Sequence, residues 1–214
     1  MMFRDRLDAA RQLARRLEAW RGHHPLVLAI PRGAVPMARL IARHLEGELD
    51  VVLVRKLRAR QMPEVAMGAI DESGWTWLAP SSGWLGGDEA WLQQEKQLQL
   101  EVLRQRRRLY TPVRPPVDPR GRVAIVVDDG LATGATMVAA LHVLRSRAPR
   151  HLVCAVAVAS PEALARVRPL ADECICLHAP EDFEAVGQFY ASFEAVEDEE
   201  VVRLLQMRLP EARG

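Results

Sequence analysis

An excess of charge is what this chain most clearly lacks. Its 29 lysines and arginines stand against 28 aspartates and glutamates, for a net charge of +1. A near-neutral chain has no global field to draw in nucleic acid or an acidic membrane surface, so any anion site must be local. Cysteine is scarce, with Cys154, Cys174 and Cys176 all in apolar runs. Cys174 and Cys176 would share one face of a strand, but no further ligands are spaced to complete a metal site. Buried thiols in a reducing cytosol are the simpler reading. No apolar run reaches the ~20 residues of a membrane-spanning helix. The charged N-terminus carries no signal-peptide pattern, so a cytoplasmic setting is expected. Neither GxGxxG nor GxxxxGK[ST] occurs, which disfavours a dehydrogenase and a P-loop nucleotidase.

What is present is a series of strand and helix units. The 214 residues, 49% apolar and 27% charged, suit one soluble domain with a lid or appendage. Phe3 to Trp20 carries apolar residues near helical spacing, namely Phe3, Leu7, Ala10, Leu13, Ala14, Leu17 and Trp20. Buried strands are expected at Leu26–Ile30, Asp50–Val54, Val123–Val127, His151–Ala159 and Glu173–Leu177. Helices are expected at about Pro36–His44, Asp88–Tyr110, Met137–Arg147 and from Pro161, where Ser160 is a good cap. His23 and His24 read as a polar lead-in to the first strand. Val65–Ile70 and Trp75–Leu78, around Asp71-Glu72-Ser73-Gly74, read as a β-hairpin, with Trp75 and Trp77 on one face. Thr111–Arg122, with four prolines, is an extended connection. The fold class that follows is α/β, a doubly wound and mainly parallel sheet flanked by helices.

Val123 to Thr136, VAIVVDDGLATGAT, organises the rest. A buried strand is followed by two carboxylates, Asp128 and Asp129, then by a small, hydroxyl-rich turn and a helix N-terminus. That N-terminus offers free N–H groups and the positive end of a dipole. Thr133 and Thr136 add hydroxyl donors, and Gly134 admits a phosphate to the backbone. A carboxylate accepts hydrogen bonds from both hydroxyls of a ribose. The stretch is therefore suited to a ribose 5-phosphate.

Residues 124–136 also resemble the signature of the type I phosphoribosyltransferases, enzymes that use phosphoribosyl pyrophosphate (PRPP). Only Gly130 departs, where many members carry an aliphatic residue. The resemblance covers about residues 25–180 of a single domain. It implies that Asp128 and Asp129 hold the ribose, and that Ala132, Thr133, Gly134, Ala135 and Thr136 form the 5-phosphate loop. Pro31-Arg32-Gly33 resembles the family's pyrophosphate loop, which would place Arg32, Gly33 and Ala34 against pyrophosphate. Many relatives have glycine where this chain has Ala34. A basic residue after the next strand meets pyrophosphate in relatives; Lys56 is favoured here, with Arg55 as the alternative. The region 57–110 would supply a lid or insertion containing the hairpin. Residues 1–20 with 181–214 would form a small hood, with Phe189, Tyr190 and Phe193 in its core. Phe183, after the last strand, is the candidate for stacking on a base.

By the same resemblance the activity is displacement of pyrophosphate from PRPP by a nucleobase-like nitrogen. PRPP would bind as its Mg²⁺ complex, with the metal held mainly through PRPP and no dedicated protein site. A homodimer is left open. Hypoxanthine and guanine enzymes of the family carry an acid where this chain has Ala132, and a lysine where it has Ser160-Pro161. The turn Asp128–Gly134 looks more like that of adenine phosphoribosyltransferases. Adenine, or an unrelated amine or base, is thus the expected acceptor, and Glu64 is the carboxylate nominated for acid–base work. The rival reading is a PRPP-sensing regulator that binds RNA or DNA. No DNA-binding domain precedes the core, and the net charge opposes that rival; the cluster Arg104, Arg106, Arg107 and Arg108 supports it, although a solvated helix end is the default for such a run.

Overall fold

Alternate residues of the central strands face two different cores, and this period of two sets the architecture. Val123, Ile125 and Val127 pack into one core, while Ala124 and Val126 pack into the other. Val153, Ala155 and Ala157 likewise oppose Leu152, Cys154 and Val156. A strand apolar on both faces needs a layer on each side. The computed structural model, which describes residues 2–62, 66–80 and 89–207, supplies both layers.

The main sheet is built from β1 (Leu26–Ala29), β2 (Glu48–Val51), β6 (Val123–Leu131), β7 (His151–Ala159) and β8 (Glu173–His178). These five strands run parallel in the order β2-β1-β6-β7-β8. Helices α1 (Arg6–Arg16) and α2 (Val35–His44) cover the first core. Helices α4 (Ala135–Ser146) and α5 (Pro161–Val167) cover the second. The doubly wound sheet expected from the sequence is present. Among the described residues no helix is long and apolar enough to cross a membrane.

Three boundaries differ from expectation in ways that matter for the site. The run Asp50–Val54 is not one strand. β2 stays beside β1, with Leu28 opposite Asp50, and the chain then turns at Val52-Leu53. β3 (Val54–Arg58) leaves the main sheet to pair with β4 (Ala66–Asp71), and β5 (Thr76–Leu78) completes a separate antiparallel sheet. The predicted hairpin is therefore the far half of a three-stranded unit. Its turn is organised by buried Asp71, whose Oδ1 accepts from Ser73 N (2.8 Å), Ser73 Oγ (2.6 Å) and Trp75 N (3.1 Å). Second, β6 does not stop at Val127. It runs on through both acids to Leu131, because β7 is equally long and pairs with Asp128 and Gly130. Third, α1 ends at Arg16, and Glu18–Trp20 is a short 3₁₀ turn.

Helix α3 (Glu89–Tyr110) lies over β3 and β4 through Leu92, Glu95, Gln99 and Leu103. The expected cap Asp88 lies outside the described residues. α6 (Asp198–Gln206) packs on α2 and α3. The N-terminal segment is tied to the distal chain by backbone bonds, Phe3 N to Phe189 O (2.7 Å) and Ala191 N to Phe3 O (2.8 Å). The ring of Phe3 lies 5.3 Å from that of Tyr190. This pairing brings residues near the start of the chain to the carboxyl ends of β1 and β6.

Candidate functional site

In an open α/β sheet the loops at the strand carboxyl ends leave a crevice, and ligands bind there. A cavity of about 310 Å³ occupies this edge. Ile30 to Gly33 line it from the end of β1, Asp128 to Leu131 from the end of β6, and Ala132, Thr133, Gly134 and Thr136 from the turn into α4. Lys56 reaches it from β3. Most of the predicted site residues, from Arg32 to Thr136, thus meet around one volume.

The turn into α4 is shaped by Gly134, which has φ +75° at the helix cap. That left-handed conformation favours glycine. Ser160 braces the turn from β7: its Oγ donates to the Ala132 carbonyl (2.8 Å) and accepts from Ala163 N (3.1 Å) to cap α5. A single hydroxyl therefore does two jobs at the position where some relatives have lysine. A guanidinium nitrogen of Arg166 in α5 donates to the Thr133 carbonyl.

The acid pair is asymmetric. Asp128 is buried, and its Oδ1 accepts from Asp129 N (2.9 Å). Burial, reinforced by the charge of Asp129, pushes its carboxyl well above the ordinary carboxylate range. Asp129 instead receives Arg6 Nε at 2.8 Å on Oδ2. The guanidinium of Arg6 also lies 3.8 Å from the Phe193 ring centroid and donates to the Glu194 carbonyl. Tyr190 Oη donates to the Asp129 carbonyl (2.7 Å), and burial raises its phenol far above normal. Gly33 makes this arrangement sterically possible, since a Cβ there would sit 2.3 Å from Asp129 Oδ2.

The basic residues separate cleanly. Lys56 faces the cavity, whereas Arg55 turns to α3 and donates to Gln99 Oε1 (2.8 Å). Adjacent residues of a strand point to opposite faces, and the β3–β4 pairing decides which is which. Arg32 lines the cavity but is paired with Glu197 (2.8 Å) and Asp198 (3.4 Å) at the start of α6. Ala34 and Ala135 are buried at the N-termini of α2 and α4 and are not among the lining residues.

Phe183 is not brought to the cavity. Its ring packs 5.4 Å from that of Phe189, while Val186 and Phe193 form the cavity wall. Phe193, expected in a core, is 37% exposed there. Val186 also accounts for Gly130, where any Cβ would lie 2.4 Å from Val186 Cγ1. Glu64 lies outside the described residues. Arg6 and Val186 escaped the sequence reading, and Tyr190 was expected only in the hood core; the pairing of Phe3 with Phe189 and Ala191 brings Arg6 and Tyr190 here.

No group of three or more His, Cys, Asp or Glu could hold a metal ion by itself among the described residues. The donor set is two adjacent carboxylates, one paired with Arg6. It fits a hard cation that brings most of its oxygen ligands with it.

These features define a class, a doubly wound α/β protein with an acid pair and a small, hydroxyl-rich turn at the carboxyl edge of its sheet. The chain belongs to the phosphoribosyl transferase family: the Phosphoribosyl transferase domain matches residues 4–194. Two Mycobacterium tuberculosis proteins, from strains CDC 1551 and H37Rv, are each 41% identical over 207 residues and carry provisional phosphoribosyl transferase names. The match takes in 95% of this chain but only 46% of either relative, so the chain spans about half their length. The crystal structure of TT1426 from Thermus thermophilus is 46% identical, with a TM-score of 0.80 over 96% of this chain and 98% of that one.

Proposed function

We propose that this chain transfers the ribose 5-phosphate of PRPP to a ring or amine nitrogen of a nucleobase-like acceptor, releasing pyrophosphate. The observation that carries the reading is the convergence of Asp128 and Asp129, the Thr133–Thr136 turn, Arg32 with Gly33, and Lys56 on one cavity. In this reading the acids receive the ribose hydroxyls, and the N–H groups at the start of α4 receive the 5-phosphate. Arg32 and Lys56 face the pyrophosphate, with Arg32 exchanging its pairs to Glu197 and Asp198 for the ligand. The C1′–O bond breaks with its electron pair leaving on pyrophosphate, a C1′–N bond forms from the acceptor's lone pair, and the acceptor nitrogen gives up its N–H proton to pyrophosphate or water. Mg²⁺ would be held mainly through PRPP, with no dedicated site on the protein, and would neutralise the leaving group. The residues themselves position PRPP and stabilise separated charge.

Acceptor choice follows from what faces the cavity. Ala132 cannot exchange a proton with a purine ring, and Ser160 is engaged as a cap and brace. Hypoxanthine and guanine are therefore poor acceptors, and adenine or another amine or base is better. Val186 and Phe193 are the apolar wall against which such a base would lie. The regulator reading loses much of its support, because Arg106 and Arg107 of the α3 cluster are largely buried in ion pairs and Arg108 is paired on the surface. Arg107 binds Glu72 twice at 2.9 Å, Arg106 lies 3.4 Å from Asp198, and Arg108 pairs with Glu101 at 2.9 Å.

Calorimetric titration of Asp128→Asn/Asp129→Asn tests the ribose assignment. The folded double variant should no longer bind PRPP, and unchanged affinity would sink the reading. A screen of bases with PRPP and Mg²⁺, followed by pyrophosphate release, tests the acceptor. Efficient turnover of hypoxanthine or guanine would refute the argument from Ala132.

A further inference from the structure

A second cavity, of about 330 Å³, lies outside the PRPP cavity, between the antiparallel sheet and helices α4 and α5. Its size falls in the roughly 300–1,000 Å³ range of small-ligand pockets. Trp75 and Trp77 line it from the hairpin, Val138, Leu141 and His142 from α4, and Arg166 from α5. The walls are flat and already stacked. The Trp75 and His142 rings lie 3.6 Å apart at an interplanar angle of 8°, and the Arg166 guanidinium is 5.5 Å from the Trp77 ring centroid.

Charge at this cavity is of one sign. Arg145 also lines it but is neutralised by a bidentate pair with Asp172, at 3.1 and 3.0 Å. Arg166 has no carboxylate within ion-pair distance among the described residues; its guanidinium donates to the carbonyl of Thr133. Indole faces accept a planar ring, and a guanidinium without an anion accepts a carboxylate, sulfonate or phosphate. We propose that this cavity is a binding site for a small planar aromatic anion. The ring would lie against Trp77 and the charge would meet Arg166. The site is coupled to the PRPP cavity, since a ligand that re-aims Arg166 releases the Thr133 carbonyl in the turn that opens α4. α5 also packs directly on that turn, with Val167 Cγ1 3.2 Å from where a Cβ on Gly134 would stand. The coupling, though not the site, rests on the reading of that turn as the 5-phosphate loop.

The test uses 2-naphthoate as probe on the full chain, with binding followed by calorimetry. Wild type should bind it at one site, and Trp77→Ala and Arg166→Gln should each weaken it by about tenfold or more, as loss of a central anchor does. Trp75→Phe is a milder third variant, should Trp77→Ala fail to fold. Asp128→Asn/Asp129→Asn should bind 2-naphthoate as wild type does, which separates this site from the PRPP reading. Saturating 2-naphthoate should change PRPP affinity by about fivefold or more, and PRPP should change naphthoate affinity by the same factor. Equal naphthoate affinity in wild type, Trp77→Ala and Arg166→Gln would overturn the site, as would its loss in the double aspartate variant. So would a dimer, seen by sedimentation, that Trp77→Ala dissociates while 2-naphthoate fails to bind. Unchanged PRPP affinity in saturating 2-naphthoate would overturn the coupling.

Discussion

The Arg6–Asp129 pair joins residues 123 positions apart, and its strength can be worked out before it is measured. Its side chains are 13% and 15% exposed, and the contact is 2.8 Å. Exposed pairs are worth about 0–1 kcal/mol, whereas breaking a fully buried pair costs about 3–5 kcal/mol. At this burial, a charge-assisted bond should contribute about 1–3 kcal/mol. Single substitutions would mix in other effects. Arg6→Met also loses the bond to the Glu194 carbonyl and the stacking on Phe193, and Asp129→Asn also relieves Asp128 of a neighbouring charge. A double-mutant cycle cancels these terms, because each appears on both sides of the square. Urea denaturation of the four proteins should therefore return a coupling energy of about 1–3 kcal/mol. In thermal melts, each kcal/mol should move Tm by about 2–4 °C for a chain of this size. The Arg4–Asp8 pair, 78% and 20% exposed, is the internal control and should give under about 1 kcal/mol. A coupling for Arg6–Asp129 no larger than the control would refute the reasoning that burial strengthens this pair.

Ser160→Ala should cost about 1–2 kcal/mol, since it removes a helix cap and the brace to Ala132 together; an unchanged Tm by calorimetry would refute both roles. Burial raises the Asp50 carboxyl above its ordinary 3.8, so its contribution to stability is full below that pH and is lost as the pH rises through the higher folded value. Asp50→Asn should remove that part of the pH dependence, although its Oδ1 can keep only one of the two bonds, from Val51 N to Oδ1 and from Val117 N to Oδ2, because Asn Nδ2 donates and cannot accept; an unaltered pH–stability curve would count against it. Hydrogen bonding from Cys154, with help from Arg168, brings the Cys174 thiol down to about 7, whereas burial pushes Cys176 up to about 11. Iodoacetamide near neutral pH should label Cys174 first, and mass mapping that finds Cys176 or Cys154 ahead of it would contradict this order.

Local chemistry made much of this protein legible from its residues. Short apolar runs marked four of the five parallel strands and the end of β2, and the β7 bounds, His151–Ala159, are those the pattern gives. The acid pair followed by Thr133, Gly134 and Thr136 marked a stretch that does line the cavity, because small and hydroxyl-bearing residues at a helix N-terminus are what an anion site needs. Pairing partners were not legible in the same way. Whether Val54 continues β2 or begins β3 depends on which strand lies beside it, and the apolar pattern is the same in both cases. That choice, made by β4, is what turns Lys56 to the cavity and Arg55 to α3. The aromatic wall was likewise decided by packing: the sequence favoured Phe183 for stacking and put Phe193 in a core, but Phe183 lies against Phe189 while Phe193 lines the cavity under Arg6. Arg6 itself carries no local signal. It reaches Asp129 only because backbone bonds tie Phe3 to Phe189 and Ala191, and a contact across 123 residues is a property of the closed fold.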